Sequence, residues 1–188
     1  DIICHGEATG SIELTVTGDE PFTFSWSTSD GSGISAGNKD QSGLTAGTYK
    51  VVVTDADDKD SLEISVTEPP APVSASLAGS ATVCRNSPGP YITFTGHNGT
   101  VPYKFTYNIN GTLQPVIETA SGNSVSIQAP TGTAGTFTYN LVGVEDLNGC
   151  TEILDEKVEI VVTEDNQAPV ITVTSSGLNL KCFDAEAV

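Results

Sequence analysis

The residues best suited to chemistry are aspartates that crowd into one short stretch, DADDKD: Asp55, Asp57, Asp58 and Asp60. They stand between the apolar residues Val53 and Leu62, which places them in a turn between two strands. Alternate carboxylates in such a turn can converge on a hard cation such as calcium, which accepts roughly six to eight oxygen ligands in irregular geometry. The stretch lacks the Gly and the terminal Glu of an EF-hand loop. It therefore indicates either a calcium site or a solvated hairpin tip.

A second acidic group, Glu164, Asp165 and Asn166, lies just ahead of Ala168-Pro169. It resembles in outline the calcium-binding linkers of cadherin-like arrays, in which acidic residues of adjoining modules stiffen the chain. Short acidic linkers are more often merely hydrated. Both interpretations stay open for these three residues.

The sequence contains few of the residues and motifs on which catalysis usually depends. His5 and His97 are the only histidines, and there is no Gly-x-Ser-x-Gly elbow, Cys-x-x-Cys pair or HExxH helix. The hypothesis is therefore that the chain is not an enzyme. If it binds a ligand, a carbohydrate stacked on exposed aromatic rings is the first choice, with Tyr91 and Tyr103 as the residues to test.

The net charge limits the kinds of partner that the chain can bind. The chain has 24 acidic and 7 basic residues, a formal net charge of −17, which repels phosphate backbones and anionic lipid surfaces alike. We therefore expect neither nucleic-acid binding nor membrane insertion, and the apolar runs are far shorter than the ~20 residues of a spanning helix. The first residues, DIICHGEATG, do not read as a signal peptide, and we interpret both ends as cuts through a longer protein.

The chain repeats its landmarks in order. An Ala-Pro-Val start and an alternating strand precede both Cys84 and Cys182, and Cys4 stands at the matching point of a copy whose opening strand would lie before residue 1. The intervals are 84 − 4 = 80 and 182 − 84 = 98 residues, each close to one small β-sandwich module. The stretch PFTFSW in the first copy corresponds to PYKFTY in the second, and LTAGTYKVVVTDAD corresponds to TAGTFTYNLVGVEDLN. We expect one module at residues 1–69, a second at 70–165, and the first strand of a third at 166–188.

Apolar and polar residues alternate within each copy, as in strands with one buried and one solvated face. The inward sets of the first copy are Ile12, Leu14 and Val16; Phe22, Phe24 and Trp26; Tyr49, Val51 and Val53; and Leu62, Ile64 and Val66. Those of the second are Ile92 and Phe94; Tyr103, Phe105, Tyr107 and Ile109; and Val125 and Ile127.

Antiparallel strands of this kind pack as two facing sheets, so the predicted fold class is all-β, with tandem immunoglobulin-like β-sandwich modules. Trp26 is in phase with Phe22 and Phe24, which favours a core position over a ligand platform. Asn110-Gly111 predicts a tight hairpin turn. The proline-rich connector VTEPPAPV predicts a short, semi-rigid link and hence a rod of modules.

Several of these landmarks resemble a known family. The stretch CHGEATGSIELTVTGDEPFTFSWS, then LTAGTYKVVVTDAD and a closing TEPP, resembles the SprB-type repeat of very long surface adhesins in gliding Bacteroidetes. The resemblance covers most of residues 1–70, and residues 71–165 look like a companion sandwich repeat. It implies export by the type IX secretion route, a cell-surface location and a part in adhesion and gliding motility. The family's repeat closes with a cysteine after Asp-Ala-Asn-Gly, where this chain continues Asp-Ala-Asp-Asp-Lys-Asp.

The cysteines are interpreted in the light of that export. Cys84 and Cys150 begin and end corresponding strands of the second copy, so we predict a disulfide between them, with two separate buried thiols as the alternative. Cys4 is then expected as a buried free thiol or as a group that reacts across chains, and Cys182 as bonded beyond residue 188.

Three functions agree with these observations. The favoured hypothesis is a structural stalk segment of a large cell-surface adhesin, with neighbouring repeats and surface polysaccharide as its partners and calcium as the only candidate cofactor. The alternatives are a carbohydrate-binding module and an ancillary region of a secreted multidomain hydrolase.

Overall fold

The computed structural model describes residues 1–164, so the predicted first strand of a third module, residues 166–188, lies outside the described part. The described residues form strands and loops without any helix, and the prediction of an all-β, immunoglobulin-like sandwich fold is confirmed. In residues 1–164 there is accordingly no helix long and apolar enough to cross a membrane. The chain folds as two compact units, unit 1 (Asp1–Val73) and unit 2 (from Ser74 onward).

Unit 1 contains five strands in two sheets. The strands are β1 (Gly10–Ile12), β2 (Thr23–Thr28), β3 (Gln41–Leu44), β4 (Gly47–Thr54) and β5 (Lys59–Val66). β1 and β3 form an antiparallel pair, and β2, β4 and β5 form a three-stranded antiparallel sheet in that order. The inward faces of the two sheets meet in a core of Ile2, Ile12, Leu44, Tyr49 and Val66.

The largest buried side chain of that core also holds a loop. Tyr49 is fully buried, and its hydroxyl oxygen lies within hydrogen-bond distance of the carbonyl oxygens of Ser32 (2.8 Å) and Thr45 (2.7 Å), which share its one proton. An aromatic ring thus fills the core while its polar tip satisfies loop carbonyls, as buried tyrosines require.

The described part of unit 2, residues 74–164, contains nine strands. They are β6 (Ser74–Ala78), β7 (Ala81–Cys84), β8 (Tyr91–His97), β9 (Lys104–Ile109), β10 (Thr112–Leu113), β11 (Ile117–Glu118), β12 (Ser124–Gln128), β13 (Gly135–Glu145) and β14 (Thr151–Thr163). One sheet has the order β12-β8-β6, and the other has the order β10-β9-β13-β14-β7 with β11 also on β9. All pairings are antiparallel except that of β7 with β14.

The hairpin predicted at Asn110-Gly111 is confirmed. It joins β9 to β10, and both turn residues have positive φ, 49° for Asn110 and 82° for Gly111. This is the conformation that two-residue hairpin turns require and that Asn-Gly adopts at low cost.

Aromatic rings dominate the core of unit 2. The ring centroid of Phe94 lies 5.7 Å from that of Phe105 and 5.1 Å from that of Tyr107, and all three rings are buried. Such tilted pairs contribute stability beyond the burial of their area. Phe94 of β8 therefore packs across the core against Phe105 and Tyr107 of β9.

The internal repeat is visible in the ladder registers. β4 pairs with β5 as Gly47 with Val66, Tyr49 with Ile64 and Val51 with Leu62. β13 pairs with β14 in the corresponding register: Gly135 with Val162, Phe137 with Ile160 and Tyr139 with Val158. Leu62 of unit 1 therefore corresponds to Val158 of unit 2.

That correspondence reveals one wrong prediction. Val158 is 7% exposed, whereas Leu62, which the alternation places in the core with Ile64 and Val66, is 56% exposed. The phase of the alternation is right, but nothing in the described residues covers Leu62.

Candidate functional site

The acidic turn between β4 and β5 is organised by hydrogen bonds. The Asp55 carboxylate accepts from the backbone N–H of Asp57 (3.0 Å) and of Asp58 (2.7 Å), and the Asp60 carboxylate accepts from the N–H of Ser61 (2.7 Å). The Asp55 N–H in turn donates to the carbonyl of Asp58 at 3.0 Å. Two of the four carboxylates thus cap local backbone donors, as aspartates in turns commonly do.

The four carboxylates are not brought together to hold a cation. Within residues 1–164, no three His, Cys, Asp or Glu side chains are grouped so that they could hold a metal ion. The expectation that Asp55, Asp57, Asp58 and Asp60 converge on calcium is therefore not met, and the arrangement is that of a capped hairpin tip.

The acidic linker group is only partly within the described residues. The Glu164 carboxylate accepts from Arg85 Nη1 at 3.2 Å and 3.3 Å, an ion pair between exposed side chains. Asp165 and Asn166 lie outside the described residues. Exposed pairs of this kind contribute little to stability.

The equivalent turn of unit 2 explains why the first position of the acidic turn is an aspartate. Asp146 is 4% exposed, and its carboxylate accepts from the N–H groups of Asn148, Cys150 (both 2.9 Å) and Thr100 (2.9 Å). Asp55 and Asp146 thus cap the same turn in the two copies. The shared aspartate is structural in both.

Removing the cap should weaken unit 1 in a pH-dependent way. The N–H groups of Asp58 and then Asp57 hold the pKa of Asp55 below its ordinary value of 3.8. A carboxyl whose pKa is lowered by folding stabilises the fold above its unfolded pKa, and this contribution is lost as the pH falls through the folded pKa. We expect Asp55→Ala to melt at a lower temperature than wild type at pH 7, with the difference fading below pH 3.8.

The measurement is thermal unfolding followed by Trp26 fluorescence, and Asp57→Ala is the matched control. The side chain of Asp57 caps no backbone group, so its removal should leave the curve unchanged. If both variants lower the melting temperature equally, loss of charge rather than loss of the cap is responsible.

The cysteines are paired differently from the prediction. Cys4, Cys84 and Cys150 are each disulfide-bonded, so neither the free Cys4 nor the two separate thiols of the sequence hypothesis is correct. Cys84 pairs in the ladder with Thr163, the last residue of β14, while Cys150 directly precedes Thr151, the first. The two ends of β14 are separated by 163 − 151 = 12 residue steps, or about 40 Å at a rise of about 3.3 Å per residue.

A disulfide requires its two Cα atoms to lie within about 7 Å of one another. The predicted Cys84–Cys150 bond is therefore wrong. The bond cannot form because the parallel pairing of β7 with β14 places Cys84 at the end of the sheet opposite Cys150.

The candidate sugar-binding tyrosines have opposite environments. Tyr91 is 64% exposed, whereas Tyr103 is 2% exposed. The Tyr103 hydroxyl donates to the carbonyl of Gly99 (2.7 Å) and accepts from its N–H (2.8 Å), and the ring stacks on Phe105. The prediction that Tyr103 is an exposed binding residue is wrong, because the residue is a core tyrosine that holds a loop. Tyr91 stays a candidate.

The core position predicted for Trp26 is confirmed. Its ring packs against the buried cluster of unit 1, and its indole N–H donates to the carbonyl of Asn38 at 2.8 Å. Trp26 is partly buried, and this hydrogen bond satisfies its indole N–H.

The histidines do not form catalytic arrangements. His97 Nε2 lies 3.0 Å from Ser76 Oγ on an exposed surface, and within residues 1–164 no carboxylate orients that imidazole. His5 Nδ1 lies 2.8 Å from the carbonyl of Pro69 and 3.6 Å from Glu68 Oε1, where it ties the two ends of unit 1 together. A Ser–His contact without an orienting acid lacks the geometry of a hydrolase triad.

The feature that sequence analysis missed is a groove of about 460 Å³ in unit 1. Residues 14–17 form one wall, residues 58–62 the other, and Val51 and Val53 lie at its floor. Its lining includes the apolar residues Leu14, Val16 and Leu62 and the acidic residues Asp55, Asp58 and Asp60. The acidic turn and the groove are thus neighbours.

Comparison with known proteins assigns the chain to no family. No protein-family model matches the chain, and no curated protein matches it in sequence. Solved structures with a similar fold include fibronectin(III)-like modules of Clostridium thermocellum CbhA, at 15% identity over 87% of this chain and 90% of that chain, with a TM-score of 0.36.

Two further structures have comparable similarity. The titin domains Z1Z2 in complex with telethonin are 16% identical over 88% of this chain and 93% of that chain, with a TM-score of 0.34. The Yersinia pseudotuberculosis adhesin InvE is 9% identical over 85% of this chain and 57% of that chain, with a TM-score of 0.32. Similarities this slight do not bear on what the chain does.

Proposed function

We propose that the chain is a structural stalk segment of a large cell-surface adhesin, built from tandem immunoglobulin-like modules. The observation that carries this proposal is the repeated ladder: β4 with β5 and β13 with β14 share one register, and each pair lies in a unit with its own core. Repeated modules that are each packed around a core can add length to a protein without any one of them carrying a chemical function.

The cysteines and the charge support a location outside the cell. Cys4, Cys84 and Cys150 are all in disulfides, which persist in extracellular and other oxidising surroundings and are rare in the cytosol. The net charge of −17 keeps such a segment soluble and keeps it from anionic lipid surfaces.

The finer assignment rests on the sequence landmarks. The resemblance of residues 1–70 to the SprB-type repeat is the reason to propose export by the type IX route and a role in adhesion and gliding motility. In this proposal neighbouring repeats are the direct partners, and surface polysaccharide is met by other parts of the protein.

A spacer exchange in the cells that make the protein tests this function. The segment is deleted from the full-length protein, or replaced by two unrelated immunoglobulin-like modules of equal length. We expect deletion to reduce surface adhesion and movement and the unrelated spacer to restore both, because a stalk supplies reach rather than recognition. Protease shaving of intact cells, followed by detection of the segment, checks its surface location.

A specific observation favours a second candidate, carbohydrate binding at Tyr91. The exposed ring lies at the start of β8, whose outward Thr93 and Thr95 hydroxyls lie 2.8 Å and 3.0 Å from those of Ser126 and Ser124. A ring beside a row of hydroxyl groups suits a sugar, which offers both an apolar face and hydroxyls. If the unrelated spacer fails to restore adhesion and Tyr91→Ala abolishes it, the segment is a binding module and the stalk proposal is wrong.

A further inference from the structure

The groove of unit 1 corresponds to a place that is filled in unit 2. β1 corresponds to β8 because each is the first strand after the first cysteine of its unit. Ile12 in β1 and Ile92 in β8 are buried at equivalent positions. Gly10 pairs with Leu44 as Pro90 pairs with Ala129. β8, however, has partners on both edges, β12 and β6, whereas among the described strands β1 pairs with β3 alone.

The second partner of β8 is what buries the facing sheet. β6 pairs with residues 93–97 of β8, with Ser74 opposite His97 and Leu77 opposite Phe94. It also lies across from β13 and β14 of the other sheet. Val158 of β14 is consequently buried, at 7% exposure.

In unit 1 no residue of the described range 1–164 fills the same space. The interval of 80 residues between the first cysteines makes residues 13–17 the counterparts of 93–97, and residues 14–17 form one wall of the groove. The opposite wall contains Leu62, the counterpart of Val158, which is 56% exposed. The groove therefore lies where β6 lies in unit 2.

The backbone of residues 14–17 can pair with an added strand along one edge. The N–H of Leu14 donates to Asp40 Oδ1 (2.9 Å) and its carbonyl accepts from Lys39 Nζ (2.8 Å), both on the β3 side. Thr15 and Thr17 alternate with Leu14 and Val16, so their backbone groups point to the other edge. Within residues 1–164 those groups make no hydrogen bond. An edge of free donors and acceptors beside an apolar floor is a template for strand addition.

We propose that this groove is the seat of an added β-strand that enters unit 1 directly ahead of Asp1, as β6 enters unit 2 ahead of β7, and runs antiparallel to residues 13–17. The strand is uncharged and alternates apolar with small polar residues, as Ser74–Ala78 does. Carboxylates on this strand would be repelled by Asp55, Asp58 and Asp60, which line the groove, so an acidic segment is excluded as occupant.

The position in the chain follows from the same interval. Because 81 − 80 = 1, Asp1 corresponds to Ala81, and the ten residues Ala71–Ser80 that contain β6 correspond to the ten positions directly ahead of Asp1. A strand joined at that point is always at high local concentration beside the groove.

The test is a chain extended by a copy of Ala71–Ser80 directly ahead of Asp1. We expect the amides of Thr15 and Thr17 to exchange with deuterium about tenfold more slowly than in the unextended chain, and the Trp26 fluorescence transition to move to higher temperature. Leu62→Ser, nearly neutral in the unextended chain, should lower the melting temperature of the extended one, because only there does Leu62 become buried.

The matched control is an extension of the same composition in which the alternation is shifted by one position. A one-residue shift moves the apolar side chains to the outer face, so it should give no protection. Equal protection by both extensions would overturn the proposal, as would an absence of protection with either. Protection that rises with protein concentration and ignores the extension would show instead that a second copy of the chain covers the groove, which also overturns it.

Discussion

Phe94→Ala is expected to remove most of the stability of unit 2. The Phe94 side chain is fully buried between the rings of Phe105 and Tyr107, so truncation loses its transfer free energy and leaves a cavity. Such Phe→Ala changes cost about 3–5 kcal/mol. Small domains have a total free energy of unfolding of roughly 5–15 kcal/mol, so the variant should unfold at a much lower temperature.

The single tryptophan makes this result specific. Trp26 lies in unit 1, so its fluorescence reports that unit, whereas circular dichroism reports the strands of both. We expect the circular dichroism of Phe94→Ala to lose part of its amplitude early, while the fluorescence transition keeps the wild-type midpoint. A fluorescence midpoint that falls together with the circular dichroism would show that the cores are not separate.

Tyr91→Ala is the control on the same strand. Its ring is 64% exposed and points away from Phe94, so truncation should change the free energy of unfolding by less than about 1 kcal/mol. If Tyr91→Ala is as costly as Phe94→Ala, the assignment of the inward and outward faces of β8 is wrong.

The second large effect concerns thiols. Because Cys84 and Cys150 are in separate disulfides, the double variant Cys84→Ser/Cys150→Ser leaves two partner sulfurs unbonded. We expect it to gain two titratable thiols over wild type when both are denatured without reductant. Each single variant should gain one.

The number of thiols gained distinguishes separate disulfides from a Cys84–Cys150 bond. If Cys84 and Cys150 were bonded to each other, the double variant would gain no thiol over wild type, although each single variant would still gain one. Peptide mapping without reduction gives an independent check, since a peptide that links Cys84 to Cys150 would contradict the structure. Loss of either disulfide should also lower stability, typically by about 2–5 kcal/mol in small exported domains.

Much of the fold could be predicted from alternation and turn residues. Ile12, Tyr49, Phe94 and Phe105 are buried as the alternation predicts, and Asn110-Gly111 makes the expected turn. These predictions succeeded because the two-residue period of a strand and the positive φ of Asn-Gly are local properties.

The failures arise where the outcome depends on distant parts of the chain. Cys84 and Cys150 look like the two ends of one module, and only the parallel pairing of β7 with β14 shows that they lie at opposite ends of a sheet. Alternation gives the direction in which Leu62 points, but its burial depends on whether a strand lies opposite. The repeat held a signal, since the counterpart of β6 would precede residue 1.

The calcium site expected at the acidic turn was not found, for a different reason. A cluster of aspartates in sequence does not determine whether the carboxylates face one another or the backbone, and Asp55 turns to the N–H groups of Asp57 and Asp58. The useful signal was its alignment with Asp146, where a buried aspartate caps the equivalent turn. A residue that recurs in two copies with different neighbours is better explained by the fold than by a ligand.

The parallel pairing of β7 with β14 has a mechanical consequence. Residues Ala81–Cys84 run alongside Ile160–Thr163 in the same direction, near the first and last described residues of unit 2. A pull on those ends along the strands loads the interstrand hydrogen bonds in shear, so that they must break together. An antiparallel pair pulled from one end would instead open bond by bond. Tension carried between Ala81 and Thr163 therefore meets hydrogen bonds that resist together rather than one after another.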